Sequence, residues 1–310
     1  MKIAIVFPGQ GSQSVGMLDS FRGNAAVQSI VARASSALGQ NIGVLIDAGP
    51  AEELNMTTNT QPALLTAGYA IYAAWRAAGG AEPLIVAGHS LGEYTALVAA
   101  GALELEDAVR LVRFRAQAMQ EAVPVGIGLM AAILGLPDDT VRQACSEAAQ
   151  GEVVEPVNFN APSQVVIAGH SSAVQRACEI AKRLGAKRAV PLSVSAPFHS
   201  SLLQPAGDRL RDRLAQTMLK KPRIDLINNV DVSIESEPAR IADALARQAA
   251  RPVRWADTVR KMSDLGVTHV VECGPGRVLS GLTKRIAPSL ESLVVNDTAT
   301  LASTLTALNR

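Results

Sequence analysis

Aromatic side chains are nearly missing from this sequence. They make up 3% of its 310 residues, against 48% for hydrophobic residues as a whole. A core built from it is aliphatic and alanine-rich, and the length allows one or two domains with a large interior. Excess charge is missing too. A net charge of +1 gives no general attraction to nucleic acid or to an anionic membrane, so an acidic partner has to be met by a local patch. Cysteine is sparse: Cys145, Cys178 and Cys273 are far apart and odd in number. That fits a reducing compartment and argues against a disulfide framework or a Cys-x-x-Cys metal site, so they are expected as small core residues. No metal site is expected. After Met1-Lys2 only Ile3 to Phe7 is apolar before Pro8, too short for a signal peptide, and no run is long enough to span a membrane. A soluble cytoplasmic protein with no nucleic-acid or membrane partner is expected.

What the sequence does hold is Ala87-Gly88-His89-Ser90-Leu91-Gly92-Glu93-Tyr94. An apolar run, Leu84 to Ala87, precedes it, and a buried-helix pattern, Leu91 to Ala100, follows. Strand, Gly-x-Ser-x-Gly, helix is the setting of a nucleophile elbow. Gly88 and Gly92 lack a Cβ, so strand and helix can approach closely while the Ser90 hydroxyl is pushed into the open. The Leu91 N–H, at the helix start, is left free to bind an oxyanion. The other reading of Ser90 is a helix cap in a tight turn. Gly169-His170-Ser171-Ser172-Ala173 lacks the second glycine and reads as helix capping.

Around this centre the chain alternates strands and helices. Ile3 to Phe7 is a buried strand ending at Pro8, followed by Gly9-Gln10-Gly11-Ser12-Gln13. That loop has neither the Gly-Lys-Ser/Thr of a P-loop nor the spacing of Gly-x-Gly-x-x-Gly, so a phosphate cradle is rejected. Its backbone could supply a second oxyanion donor, with Gln10 in that place, or it could be a plain strand-to-helix turn. Helices are predicted over Ala25 to Leu38, over Thr60 to Ala78 behind Asn59 as a cap, and over Leu103 to Val123. From Gly128 the pattern becomes strand (Gly128 to Leu134), helix (Asp138 to Gln150), strands (Val153 to Phe159, Gln164 to Ala168), helix (Ser172 to Leu184) and strand (Lys187 to Val194). This β-α-β-β-α-β order is that of a ferredoxin-like unit. Residues 125–195 are therefore expected as a small inserted domain, with 1–124 and 196–310 forming the large one. There the sequence predicts a helix beginning just after His199 and reaching to about Met218, a strand at Ile224 to Asn228 and helices at Glu237 to Ala250 and Trp255 to Leu265. A strand at Val267 to Cys273, a helix after Gly276, a strand at Leu293 to Val295 and a helix at Thr298 to Leu308 complete it. The alternation argues for an α/β fold with a mostly parallel sheet.

A serine needs a base near neutral pH, and histidine is the usual one. Of His89, His170, His199 and His269, the first sits in the elbow as a structural hydrogen bonder. His170 begins a helix of the insert and His269 lies inside a strand. His199, in a Pro-preceded loop downstream of the serine, is the choice. Spacing singles out no third member. Arg115 is an anomaly: it lies on the apolar stripe Ala108, Leu111, Met119, Ala122 of its helix. A buried cation needs an anion, either an Asp or Glu partner or a substrate carboxylate held bidentately by the guanidinium fork. A snorkelled surface arginine is the third reading.

Phe-Pro-Gly-Gln-Gly-Ser-Gln at 7–13, Gln-Pro-Ala at 61–63, Gly-His-Ser-Leu-Gly-Glu-Tyr at 88–94, Asn-Phe-Asn at 158–160, Pro-Phe-His-Ser at 197–200, Pro-Val-Arg-Trp at 252–255 and Glu-Cys-Gly-Pro-Gly at 272–276 together resemble the malonyl-CoA:acyl-carrier-protein transacylase family of bacterial fatty acid synthesis. The resemblance spans nearly the whole chain. It implies an α/β-hydrolase-like core with a ferredoxin-like insert. It implies Ser90 as nucleophile, His199 as base, the N–H groups of Gln10 and Leu91 as oxyanion hole, Arg115 as the ligand of the malonyl carboxylate, and a Gln248 carbonyl, in place of an Asp, holding the histidine. Phe198 is similar to the malonyl-selective form. Malonyl-CoA and holo acyl carrier protein are the implied partners, coenzyme A being part of a substrate and no cofactor being needed; a monomer is expected. Lys187, Arg188, Arg277, Lys284 and Arg285 are guesses for a dock of the acidic carrier. A serine hydrolase or thioesterase, or the same transfer in a specialised pathway, is the alternative.

Overall fold

The structure, a computed structural model, describes residues 1–192 and 194–309. In chain order the elements are β1 (Ile3–Phe7), α1 (Ala25–Leu38), α2 (Ile42–Ala48), α3 (Ala51–Leu54), α4 (Thr57–Ala77), β2 (Ile85–Gly88), α5 (Gly92–Ala99), α6 (Leu105–Ala122), β3 (Gly128–Leu134), α7 (Asp138–Ala149), β4 (Val154–Ala161), β5 (Gln164–His170) and α8 (Ser171–Arg183). They continue with β6 (Arg188–Pro191), α9 (Gln204–Ala215), β7 (Asp225–Ile227), α10 (Pro238–Gln248), α11 (Trp255–Asp264), β8 (His269–Cys273), α12 (Val278–Ile286), β9 (Glu291–Val295) and α13 (Thr298–Leu308).

The larger sheet has the order β7-β2-β1-β8-β9, and every pairing in it is parallel. Helices cover both faces, which is why β1 and β2 are unbroken apolar runs buried at every position. Alternation along β1 assigns the faces. Ile3, Ile5 and Phe7 point into the main core with residues of α1, α4, α5 and α6. Ala4 and Val6 point the other way, to Trp255, Val259 and Met262 of α11.

The second sheet has the order β4-β5-β3-β6 and is antiparallel throughout, as expected for the split β-α-β-β-α-β unit. One face packs on α7 and α8 around Ile133, Cys145, Val165, Ile167 and Cys178. From the other, Met130, Val166 and Ala168 join the main core. Reciprocal backbone bonds, Phe159 N–H to Val253 O at 3.0 Å and Val253 N–H to Val157 O at 2.9 Å, tie β4 to the segment before α11.

Several boundaries differ from expectation. α4 begins at Thr57, three residues early, and Asn59 is not its cap; its amide donates instead to the Glu53 carbonyl. The segment after His199 is a 3-10 turn, Ser201–Leu203, before α9. The strand expected over 187–194 includes Ser193, outside the described residues, and is observed over Arg188–Pro191. Ser171 and Ser172 do not cap α8. Their hydroxyls donate to the Gly126 and Ile127 carbonyls and to Glu152, and His170 holds the cap position. All three cysteines are buried and free. Among the described residues no helix is long and apolar enough to cross a membrane, and no cluster of side chains could hold a metal ion.

Candidate active site

Ser90 lies between the C-terminal end of β2 and the N-terminus of α5, the crevice where open parallel sheets bind ligands. Its backbone is left-handed, with φ 52°, a conformation that costs a non-glycine residue energy and persists only where the surroundings enforce it. They do so closely. A Cβ on Gly88 would stand 1.8 Å from the Gly92 carbonyl carbon, and one on Gly92 would stand 2.1 Å from the Phe7 oxygen. The Ser90 N–H donates to Asn229 Oδ1 at 2.7 Å, while Asn229 Nδ2 donates to the Gly88 carbonyl at 2.7 Å. Asn229, just beyond β7, thus clamps the turn from the neighbouring strand.

The imidazole expected as the base is in reach. Ser90 Oγ and His199 Nε2 are 2.7 Å apart. His199 Nδ1 lies 2.8 Å from the backbone oxygen of Gln248. A carbonyl only accepts, so Nδ1 carries the proton and Nε2 presents its lone pair to the hydroxyl. The Gln248 contact is therefore made by the main chain. His199 also has a left-handed backbone, with φ 67°. Burial, reinforced by the Arg115 charge, pushes its pKa down to about 3, so the imidazole is neutral near pH 7.

Arg115 points inward from α6 and is 1% exposed. Among the described residues no carboxylate pairs with it. Nη1 donates to Gln61 Oε1 at 2.8 Å, and Nη2 donates to Ser90 Oγ at 3.1 Å and to Gln248 Oε1 at 2.9 Å. Its guanidinium carbon also lies 5.3 Å from the centre of the Tyr94 ring, a cation–π contact. Both acceptors on the glutamines are neutral, so the cation is hydrogen-bonded but not neutralised. The cleft above it measures about 300 Å³ and is lined by Gln10, Ser90, Leu91, Arg115, Phe198 and His199 among others. Neither the Gln10 nor the Leu91 N–H is used within the protein among the described residues. The loop that bears Gln10 packs tightly on the elbow: a Cβ on Gly9 would meet the His89 oxygen at 2.5 Å.

A model of the acyl transferase domain matches residues 4–304. The chain belongs to the acyl transferase family. As a member of this family it is an acyltransferase. A malonyl CoA-acyl carrier protein transacylase from Salmonella typhimurium is 52% identical over 306 residues, covering 98% of this chain and 99% of the relative. A solved acyl-carrier-protein S-malonyltransferase from Burkholderia pseudomallei is similar with 64% identity and a TM-score of 0.98, over 99% of this chain and all (100%) of that one. A malonyl-transacylase solved in complex with a type II PKS acyl-carrier protein has 49% identity and a TM-score of 0.97, over 99% of this chain and 100% of its own.

The candidate site thus gathers Gln10, Ser90, Leu91, Arg115, His199 and Gln248. It also holds groups to which the sequence assigned no part. Gln61, inside the Gln-Pro-Ala motif, holds one arm of the arginine, and Asn229 carries no motif at all. His89 Nε2 donates to Asn160 Oδ1 at 2.8 Å, matching its structural reading. His170 Nδ1 accepts from the Val153 N–H at 2.9 Å. His269 lies against Glu291 at 3.0 Å. Of the basic residues guessed for a dock, Arg277, Lys284 and Arg285 lie at or on α12, whose Val278, Leu279 and Leu282 line the cleft. Arg285 is tied to Gln164 and to the Pro162 carbonyl. Arg188 begins β6 and Lys187 precedes it.

Proposed function

We propose that this acyltransferase moves a malonyl group from coenzyme A to the phosphopantetheine thiol of acyl carrier protein, in fatty acid biosynthesis. One observation carries the reading: a buried guanidinium with no carboxylate partner among the described residues stands 3.1 Å from the Ser90 hydroxyl. A plain hydrolase has no use for that cation, whereas an acyl group with a free acid at its far end does.

Ser90 Oγ gives its proton to His199 Nε2 and attacks the thioester carbonyl. The oxyanion is taken by the N–H groups of Gln10 and Leu91, each such donor being worth ~3 kcal/mol of barrier. The C–S bond breaks, and the coenzyme A sulfur leaves with the proton from His199. A malonyl ester of Ser90 remains, its carboxylate drawing Arg115 away from the hydroxyl oxygen. In the second half the carrier thiol gives its proton to His199, sulfur attacks the ester, and Ser90 Oγ departs with that proton. The thioester supplies its own leaving group, so the reading needs no cofactor. The buried Gln248 oxygen fixes the imidazole tautomer throughout. Phe198 and the aliphatic wall keep the site poorly hydrated, so the thiol can compete with water. All these groups come from one chain, and we take it to act as a monomer. We also read residues 125–195 as an inserted unit, because their sheet packs helices of its own around a separate core.

Purified protein incubated with malonyl-CoA should gain the mass of one malonyl group on Ser90, persist in water, and lose it on addition of holo carrier protein. Arg115→Ala should lose malonyl transfer by a few kcal/mol in kcat/KM while keeping transfer of acetyl. Equal loss with both donors overturns the assignment of Arg115. Release of the acyl group to water at the same rate with and without the carrier points to a hydrolase.

A further inference from the structure

A carboxylate that the transfer steps leave unused lies directly behind the elbow. Glu93, in the first turn of α5, is 2% exposed. One of its oxygens, Oε2, accepts twice: from the Asn229 N–H at 3.0 Å and from Gln248 Nε2 at 2.8 Å. The second hydrogen of Gln248 Nε2 goes to the Ser90 carbonyl at 3.0 Å. The opposite end of the same amide, Oε1, accepts from Arg115. Gln248 is thus a connector with two functions. Its main chain holds His199, and its side chain links Glu93 to the guanidinium.

We propose that Glu93 is a positioning residue that locks the Gln248 amide with its oxygen toward Arg115, and so fixes the fork that receives the malonyl carboxylate. The inference rests on the malonyl reading. A half-turn of the amide would set Oε1 against three oxygens, those of Glu93, Ser90 and, at 3.5 Å, Asn229 Oδ1, and set the NH₂ group against a cation. With the Glu93 oxygen present that state is excluded. Without it, the turn is opposed by the Ser90 carbonyl, by Asn229 Oδ1 at the long distance of 3.5 Å and by the Arg115 cation, and the amide has lost its shortest acceptor. Arg115 then keeps Gln61 on one arm, while its other arm depends on the Ser90 hydroxyl, the very group that becomes an ester. The His199 contact is made by the main chain of Gln248, so it survives a loose side chain. The arrangement requires an acceptor oxygen at Glu93 and does not require its charge: burial pushes this carboxyl up to about 7, and the protonated acid still offers one oxygen. Glu93→Gln preserves that oxygen. Glu93→Leu removes it with little change in size.

The test is the ratio of kcat/KM for malonyl-CoA to that for acetyl-CoA, which does not depend on the fraction of protein folded. Glu93→Leu should lower the ratio tenfold or more, chiefly through a raised KM for malonyl-CoA, and Glu93→Gln should restore it to within about threefold. An unchanged ratio in Glu93→Leu, or an equal fall in Glu93→Gln, overturns the proposal. If Glu93→Leu yields no folded protein, Gln248→Leu severs the same link from its other side. The ratio should fall likewise, and an unchanged ratio again overturns the proposal. An unsubstituted protein with no preference for malonyl, or an Arg115→Ala protein that keeps one, overturns the malonyl reading and this inference together. A preference that Arg115→Ala abolishes and Glu93→Leu leaves intact overturns this inference alone.

Discussion

His199 is asked to take a proton from a hydroxyl that a permanent cation also touches. Burial and Arg115 both oppose the imidazolium and hold its pKa at about 3 in the folded chain, against 6.5 for a free histidine. Between those values the unfolded chain binds a proton that the folded chain refuses. Stability from this residue is therefore full above pH 6.5 and is lost as pH falls toward 3. Glu93 has the opposite sign. Its folded pKa of about 7 lies above the ordinary 4.5, so the folded chain holds the extra proton, and stability is lost as pH rises through that window. Two denaturation series at pH 5 and pH 8 separate the two effects. Glu93→Gln should gain on the unsubstituted protein by roughly 1–3 kcal/mol on going to pH 8. His199→Gln should show its relative gain at the acid end. A gap between Glu93→Gln and the unsubstituted protein that does not move with pH would show that Glu93 keeps an ordinary pKa.

At the scale of elements, the elbow depends on contact between β2 and α5 at backbone distance. Gly88→Ala would place a methyl carbon 1.8 Å from the Gly92 carbonyl carbon and 2.0 Å from its oxygen, and neither atom can move without breaking the strand-helix junction. We expect a loss above about 4 kcal/mol, or no folded protein, in a urea titration. Gly128→Ala should act more locally. Its Cβ would meet the ring of Pro197 at 2.4 Å, two residues before His199, so kcat should fall by more than stability does. Long periodic elements were legible from sequence because their pattern and their caps agree. α1 runs Ala25–Leu38 as read, with Asn24 accepting from Ala26 and Val27. The elbow was legible because sterics leave few residues that can build it. The short helices α2 and α3 were missed: they cover Ile42–Ala48 and Ala51–Leu54, too few residues for a period to show. Asn229 and the Gln248 side chain were illegible for another reason. Their parts arise where Asn229, beyond β7, and Gln248, at the end of α10, meet Glu93 of α5, and no local pattern encodes that meeting.

At the scale of the whole molecule, near-neutral charge leaves any attraction for an acidic carrier protein to the rim of the cleft. α12 supplies one wall through Leu279 and Leu282 and exposes Lys284 on its outer side. Lys284→Glu should lower kcat/KM for the carrier about tenfold and leave formation of the Ser90 ester unchanged. Transfer to the carrier should also weaken steadily with added salt. Salt-independent transfer would mean that the carrier is held by other forces.

The groups that meet at one hydroxyl leave the ribosome at different times. The base follows the serine by 109 residues, and the carbonyl that steadies the base follows by a further 49. For those 109 residues a nascent chain therefore carries the alcohol without the imidazole. The groups of the proposed transfer are complete only once α10, which ends at Gln248, has been made.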